Sequence, residues 1–178
     1  ADSAQFSREE ILNPEGWVLL NYLMDSRTGL GRFREFRISN YALMMDLIKY
    51  CRNHGIGDIL ELPDVKERVE LYQEHLGKAR QQILDCATVY KNLVVLDLRE
   101  QETIYAANRF LIYALFPETN TVFATGKSIL DRSSKTNIGE LMLKYGGGGH
   151  HAAGTCQVDN DKAEAVLKEL IAQINADG

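Results

Sequence analysis

The sequence predicts an α/β protein: a helical N-terminal segment and a long linker helix, followed by a small mixed-sheet α/β domain. Three observations predict this. Before residue 88 the apolar residues recur at helical spacing. A stretch of about 24 residues opening at Pro63 carries one unbroken apolar stripe. After Asn92, short β-rich runs alternate with helical ones, which is the grammar of a sheet covered by helices. The divisions follow as 1–62, 63–87 and 88–178.

Composition bounds the answer. The chain has 178 residues, 45% hydrophobic and 25% charged, which is ordinary globular usage. That length buries a core without metal or disulfide staples, and that apolar content excludes disorder. No apolar run approaches the roughly 18 residues of a membrane span. The polar start, Ala1 to Glu10, has no signal-peptide core. A net charge of −5 excludes a uniformly basic nucleic-acid coat or membrane-surface protein. Cys51, Cys86 and Cys156 form no CxxC pair and no disulfide framework, so reduced thiols and a cytoplasmic setting are expected.

The elements follow in order. Asn13 and Pro14 read as a cap and a first helical residue for a helix through Asp25 that carries Trp17, Leu19, Leu20, Leu23 and Met24. Arg27 to Arg37 reads as a loop or extended segment. Ser39 or Asn40 caps a helix through Leu43, Met44, Leu47, Ile48 and Cys51, and Gly55 stops it. From Pro63, the residues Val65, Val69, Tyr72, Leu76, Ala79, Ile83 and Cys86 share one helix face. Leu93–Leu98 reads as a buried strand, Thr103–Phe116 as mostly helix, and Thr121–Leu130 as one strand. Asn137 caps a helix over Ile138–Tyr145. Thr155–Val158 is a short strand and Asp161–Asn175 a terminal helix.

The strongest chemical signal is the run Gly146-Gly147-Gly148-Gly149-His150-His151-Ala152-Ala153-Gly154. Four consecutive glycines cost conformational entropy, and their use is to let backbone N–H groups approach a ligand. Such a nest binds phosphate or carboxylate, and a helix starting at Ala152-Ala153 would add donors. His150 can donate to a phosphate oxygen or accept from a ribose hydroxyl. A tight turn with surface histidines is the other reading. No Lys-Ser/Thr follows, so this is not a P-loop; it follows a helix, so it is not the dinucleotide fingerprint. Arg27, Arg32, Arg34 and Arg37 with Phe33 and Phe36 could track phosphates and stack a base, or form a solvated charged loop. His150, His151 and Cys156 fit no zinc spacing, and Cys156 reads as strand interior. His54 reads as a helix-end residue, His75 as a helix-surface residue.

The GGGGHHAAG run resembles the glycine-histidine signature of the associated C-terminal domain of the DHH phosphoesterases. That family includes RecJ-type exonucleases, nanoRNase/pAp phosphatases and exopolyphosphatase-related proteins. One residue, His151, stands between His150 and the Ala152-Ala153-Gly154 triplet where the common form has two. Phe116–Val122 is short for the hairpin strand usual there. The segment from Asp25 through Thr28-Gly29 to Arg32-Phe33 is similar to the last motif of the family's catalytic domain.

The resemblance implies roles. Gly147, Gly148, Gly149 and His150 would hold the substrate's phosphate or nucleotide end, with Lys127, Ser128 and Arg132 as further binding residues. Asp25, otherwise a helix-end turn residue, would be a metal ligand. The cofactor implied is a pair of divalent metals, Mn²⁺ in this family, yet no DxD, no Asp-His-His and no second acidic motif precedes Asp25. One carboxylate does not hold a metal pair. The expectation is therefore a catalytic-domain remnant, a linker helix and a complete associated domain, with the first half of the enzyme absent and no catalytic residue assigned. The parent would be a hydrolase of short oligonucleotides, pAp-like nucleotides or polyphosphate. Its partner would be a nucleotide, a short single-stranded nucleic acid or polyphosphate, and not a membrane. The alternative is a non-catalytic nucleic-acid-binding or oligomerisation module, with a homodimer through the Val65–Cys86 stripe left open.

Overall fold

Proline at the first helical position and a 3–4 apolar spacing behind it make Pro63–Cys86 one continuous helix. The computed structural model describes residues 5–91, 93–125, 128–132 and 135–177. Contacts divide the chain into two units. One is Ala1–Gln82 with Tyr105–Leu115, and the other is Ile83–Ile104 with Phe116–Gly178.

The first unit contains α1 (Arg8–Leu12), α2 (Gly16–Met24), α3 (Asn40–Tyr50), α4 (Ile56–Leu60), most of α5 (Pro63–Cys86) and α6 (Leu111–Leu115). Ser7 and Glu10 form a reciprocal capping box on α1. Asn13 does not cap α2: it ends α1, and its side chain donates to Glu9 at 2.7 Å. Ser39, not Asn40, caps α3, accepting the Ala42 N–H at 3.1 Å. The core gathers Leu19, Leu23, Leu43, Leu47, Ile59, Val65, Leu71 and Tyr72. Arg68, fully buried on α5, has its donors answered by Asn40, Glu67 and the carbonyls of Asp64 and Ile38. Its guanidinium lies 4.0 Å from the Phe36 ring centroid.

Two further expectations are corrected in this unit. Arg27–Arg37 includes a 3₁₀ turn at Leu30–Arg32, following one at Ser26–Thr28, rather than being wholly loop or extended. Thr103–Phe116 is helical only over Leu111–Leu115, and Tyr105–Leu115 belongs with the first unit rather than with 88–178. The reason is that side chains take the place of a helical ladder. The Tyr105 N–H donates to Gln82, the Ala106 N–H to His75 and the Phe110 N–H to Asn108. The buried Asn108 amide also donates to the Ile11 carbonyl and the Tyr72 hydroxyl.

The second unit is an α/β layer structure. Its strands are β1 (Ala87–Tyr90), β2 (Leu93–Asp97), β3 (Asn120–Thr125), β4 (Ser128–Arg132), β5 (Gly148–His150) and β6 (Ala153–Gln157). Its described helices are α7 (Ile138–Leu143), α8 (Asn160–Asp177) and the last residues of α5. The sheet order is β1-β2-β3-β4-β6-β5. Among the described strands only β2 and β3 pair in parallel; the other neighbours are antiparallel. The single strand expected over Thr121–Leu130 is a hairpin of β3 and β4. The β1 strand is not legible in the sequence because its residues Thr88 to Tyr90 are all exposed and show no alternation. In β2, Leu93 to Leu96 are all buried, as in a strand covered on both faces. Val95, Val122, Met142, Cys156, Leu167 and Leu170 join one core. Arg99 ties the end of β2 to α8, bonding Asp97 at 2.6 Å and Glu164 at 2.9 Å.

Candidate functional site

The glycine run is neither a free loop nor the start of a helix. Asn137 caps α7, accepting the Glu140 N–H at 3.3 Å. Gly146, at φ +74°, ends that helix: its N–H donates to Leu143 O and the Gly147 N–H to Met142 O, the two bonds of a Schellman ending. The chain then enters β5, turns at His151-Ala152 and returns as β6 rather than as the helix expected there. The His151 carbonyl accepts the Ile138 N–H at 2.8 Å, which fastens that turn to the start of α7.

Space explains most of these glycines. A Cβ on Gly147 would lie 2.1 Å from Thr155 O, and one on Gly149 would lie 2.3 Å from Ala153 O. On Gly139 of α7 it would lie 2.9 Å from Gly149 O. A Cβ on Gly148 would meet nothing within 4 Å. Packing therefore requires Gly147 and Gly149 and does not require Gly148. Among the described residues β5 is the last strand of the sheet, and one side of its backbone faces no other described strand.

The register sorts the remaining predicted residues. Arg132 pairs with Ala153, and Ala153 with His150, so Arg132 and His150 stand in one row across three strands. Two strand spacings separate their backbones by about 10 Å. Ser128 stands at the other end of β4, opposite Gln157, beyond the reach of β5. Lys127 lies outside the described residues. His150 is exposed, whereas Cys156 is buried in β6, as its sequence setting implies.

Asp25 lies in the first unit. It caps the turn at Ser26–Thr28 by accepting the Arg27 N–H at 2.9 Å, and its carboxylate takes the Arg27 guanidinium through two oxygens at 2.7 Å each. Partial burial raises the Asp25 pKa and is the largest single effect. The Arg27 hydrogen bonds and the charges of Arg27 and Arg109 together outweigh it, holding the carboxyl below its usual range. Asp25 is thus ionised but already occupied by a cation. Among the described residues, no three His, Cys, Asp or Glu side chains gather into a metal-holding group. These residues do not by themselves fit a two-metal centre.

His75, expected on a helix surface, is instead buried, at 5% exposure. Its Nδ1 accepts the Ala106 N–H at 3.1 Å. A signal for this is present in the sequence: His75 follows Arg68 and Leu71 at helical spacing on a face that neighbours the apolar stripe. His54 is exposed at the end of α3, with Nδ1 3.2 Å from Tyr50 O, as a helix-end residue should be.

No protein-family model and no curated protein sequence matches the chain. Among solved structures it is similar to a pGpG-specific phosphodiesterase, PggH, from Vibrio cholerae, with 58% identity over 99% of this chain and a TM-score of 0.92. This similarity supports the resemblance of the chain to the DHH-family phosphoesterases. The chain spans 65% of the length of that phosphodiesterase. An exopolyphosphatase-related protein from Bacteroides fragilis aligns at 19% identity over 75% of this chain and 42% of its own, with a TM-score of 0.48. A DHH domain from a member of a ribosomal-protein family aligns at 15% identity over 93% of this chain and 50% of its own, with a TM-score of 0.42. No helix among the described residues is long and apolar enough to cross a membrane.

Proposed function

We propose that this chain is the nucleotide-binding portion of a phosphodiesterase acting on a dinucleotide of the pGpG kind. The observation that carries the reading is the 58% identity to the pGpG-specific enzyme over 99% of the chain. Identity of that degree favours a dinucleotide over polyphosphate or pAp among the substrates the family motifs allow. The open position at Gly148 on an edge strand supports a ligand approaching the β5 backbone. In this reading the β5 N–H groups and His150 hold a phosphate, and Arg132, in the same cross-strand row, adds charge. Gly147 and Gly149 shape that strand, and Lys127 and Ser128 are secondary. The reading carries a divalent metal for the whole enzyme, Mn²⁺ as the family resemblance implies, with Asp25 as the one ligand these residues would offer.

Calorimetry of the chain with pGpG, pAp and tripolyphosphate, each with and without Mn²⁺, tests the reading. The expected result is tightest binding of pGpG, independent of metal, and weakened by Gly148→Val and by His150→Ala. Tripolyphosphate binding as tightly as pGpG would overturn it. A steep salt dependence with long single strands would instead favour a nucleic-acid-binding module.

A further inference from the structure

Helix α3 is apolar on two sides, and the first unit uses only one of them. Leu43 and Leu47 are buried, at 2% and 6% exposure, and join the core. At 3.6 residues per turn, Tyr41, Met44, Met45 and Ile48 fall within an arc of about 100° on the side away from them. All four are exposed, at 69%, 46%, 42% and 52%. The sequence spacing groups Met44 and Ile48 with Leu43 and Leu47, so this outer face departs from the core-facing pattern. No charged residue interrupts the stripe; Asp46 and Lys49 lie beside it and pair with each other, 3.8 Å apart. A helix that is apolar all round is one that is covered on all sides. Single exposed apolar side chains need no explanation, whereas four neighbours at i, i+3, i+4 and i+7 form one patch.

The spacing points to what covers it. The order i, i+3, i+4, i+7 reads the same from either end. A second α3 laid antiparallel across the first therefore sets Tyr41 against the partner's Ile48 and Met44 against the partner's Met45, twice over about a two-fold axis. Antiparallel packing also places the positive end of each helix beside the negative end of the other. Charge permits the approach: the stripe is neutral and the Asp46–Lys49 pair sums to zero, although the whole chain carries −5. Methionine, unbranched and polarizable, packs against its own kind without a preformed pocket. The four side chains expose on the order of 400 Å², a patch of the size that marks interaction sites and about half of what each partner gives to a standard interface. The stripe is thus the apolar core of such a contact, with the exposed Asp46, Lys49 and Arg52 at its rim. The α5 stripe, which the sequence offers for a dimer, is not free: Val65, Tyr72 and Ala79 are buried.

We propose that the Tyr41–Ile48 face of α3 binds the same face of a second copy of this chain, as a two-fold antiparallel helix pair. This pairing is independent of the nucleotide-binding reading. The test is sedimentation equilibrium of the full chain from low-micromolar to near-millimolar concentration. The wild-type mass should rise from 20.1 kDa toward twice that value. Ile48→Glu and Tyr41→Lys, each alone, should weaken association about tenfold or more, since each sets a charge against an apolar partner. The double variant Tyr41→Lys/Ile48→Glu should associate better than either single one. The antiparallel pair sets each new cation against the partner's new anion, whereas a parallel pair would set like charges together. Both positions are exposed, and thermal unfolding read alongside shows that the variants are folded. A wild-type mass that stays at 20.1 kDa overturns the proposal and leaves the stripe to a different partner. A dimer that neither single variant weakens, or a double variant that associates no better than the single ones, overturns it as well.

Discussion

Gly149 and Gly154 face each other across the β5–β6 ladder so closely that a Cβ on Gly149 would sit 2.4 Å from the Gly154 Cα. Neither atom is the end of a flexible side chain, so the backbone itself must move. Gly149→Ala is therefore expected to destabilise the second unit by about 1–3 kcal/mol, the usual range for overpacking. Gly148→Ala, one residue earlier, meets open space and should change stability by less than about 0.5 kcal/mol. Thermal unfolding of the two variants separates these outcomes. Equal midpoints would show that the hairpin is not packed this tightly.

A second prediction concerns the segment that returns to the first unit. Asn108 is 4% exposed and uses its whole amide: Nδ2 donates to Ile11 O and Tyr72 Oη, and Oδ1 accepts the Phe110 N–H. Asn108→Ala strands the buried Ile11 carbonyl and the part-buried Phe110 N–H, at a cost of up to about 1–3 kcal/mol for each group left unpaired. Hydrogen exchange should show protection lost at Phe110 and its neighbours while β2 and β6 keep theirs. A uniform loss across both units would mean that they unfold as one.

The Arg99 bridge gives a third. Arg99 is 19% exposed and bonds Asp97 through two nitrogens and Glu164 through one of them. These hydrogen bonds lower the Asp97 and Glu164 pKa values and raise that of Arg99. A lysine is a point donor and does not reproduce the fork. Arg99→Lys is expected to cost about 1 kcal/mol, given that Glu164 is largely exposed and solvent screens its share. The difference in unfolding midpoint from wild type should shrink as salt is raised. A midpoint unchanged at low salt would show that the bridge contributes nothing.

What is legible in the sequence is whatever repeats. The α5 stripe, the α8 stripe and the buried run of β2 show their period directly, and the α/β class follows from them. The motif at Gly146–Gly154 is legible as chemistry but not as geometry. Four glycines look like one device, whereas Gly146 ends a helix, Gly147 and Gly149 make room for neighbouring backbone, and Gly148 does neither. Those contacts are with Ala153–Cys156, so they depend on strand pairing rather than on local spacing. Thr103–Phe116 misleads for a related reason. Its composition favours helix, but the groups that satisfy the Tyr105 and Ala106 N–H sit on α5, more than twenty residues earlier in the chain. A distant side chain overrides a local propensity.

His75 makes the stability of the first unit depend on pH. Its Nδ1 accepts the Ala106 N–H, which only the neutral ring can do, and burial is the main cause that lowers its pKa from 6.5. The cations facing it, Lys78 and Arg32, act in the same direction; Glu74 opposes them but is paired with Lys78. The other close neighbours are the rings of Phe33 and Tyr105. Between the lowered folded value and about 6.5, the unfolded chain binds the proton that the folded chain refuses, so stability rises with pH through that window. The contribution is fully present above about pH 6.5 and is lost as pH falls toward the folded value. The unfolding midpoint of wild type should therefore drop between about pH 7.5 and 5.5 more than that of His75→Gln, whose amide oxygen can accept from Ala106 without titrating. Parallel pH profiles for the two proteins would show that the His75 proton does not couple to folding.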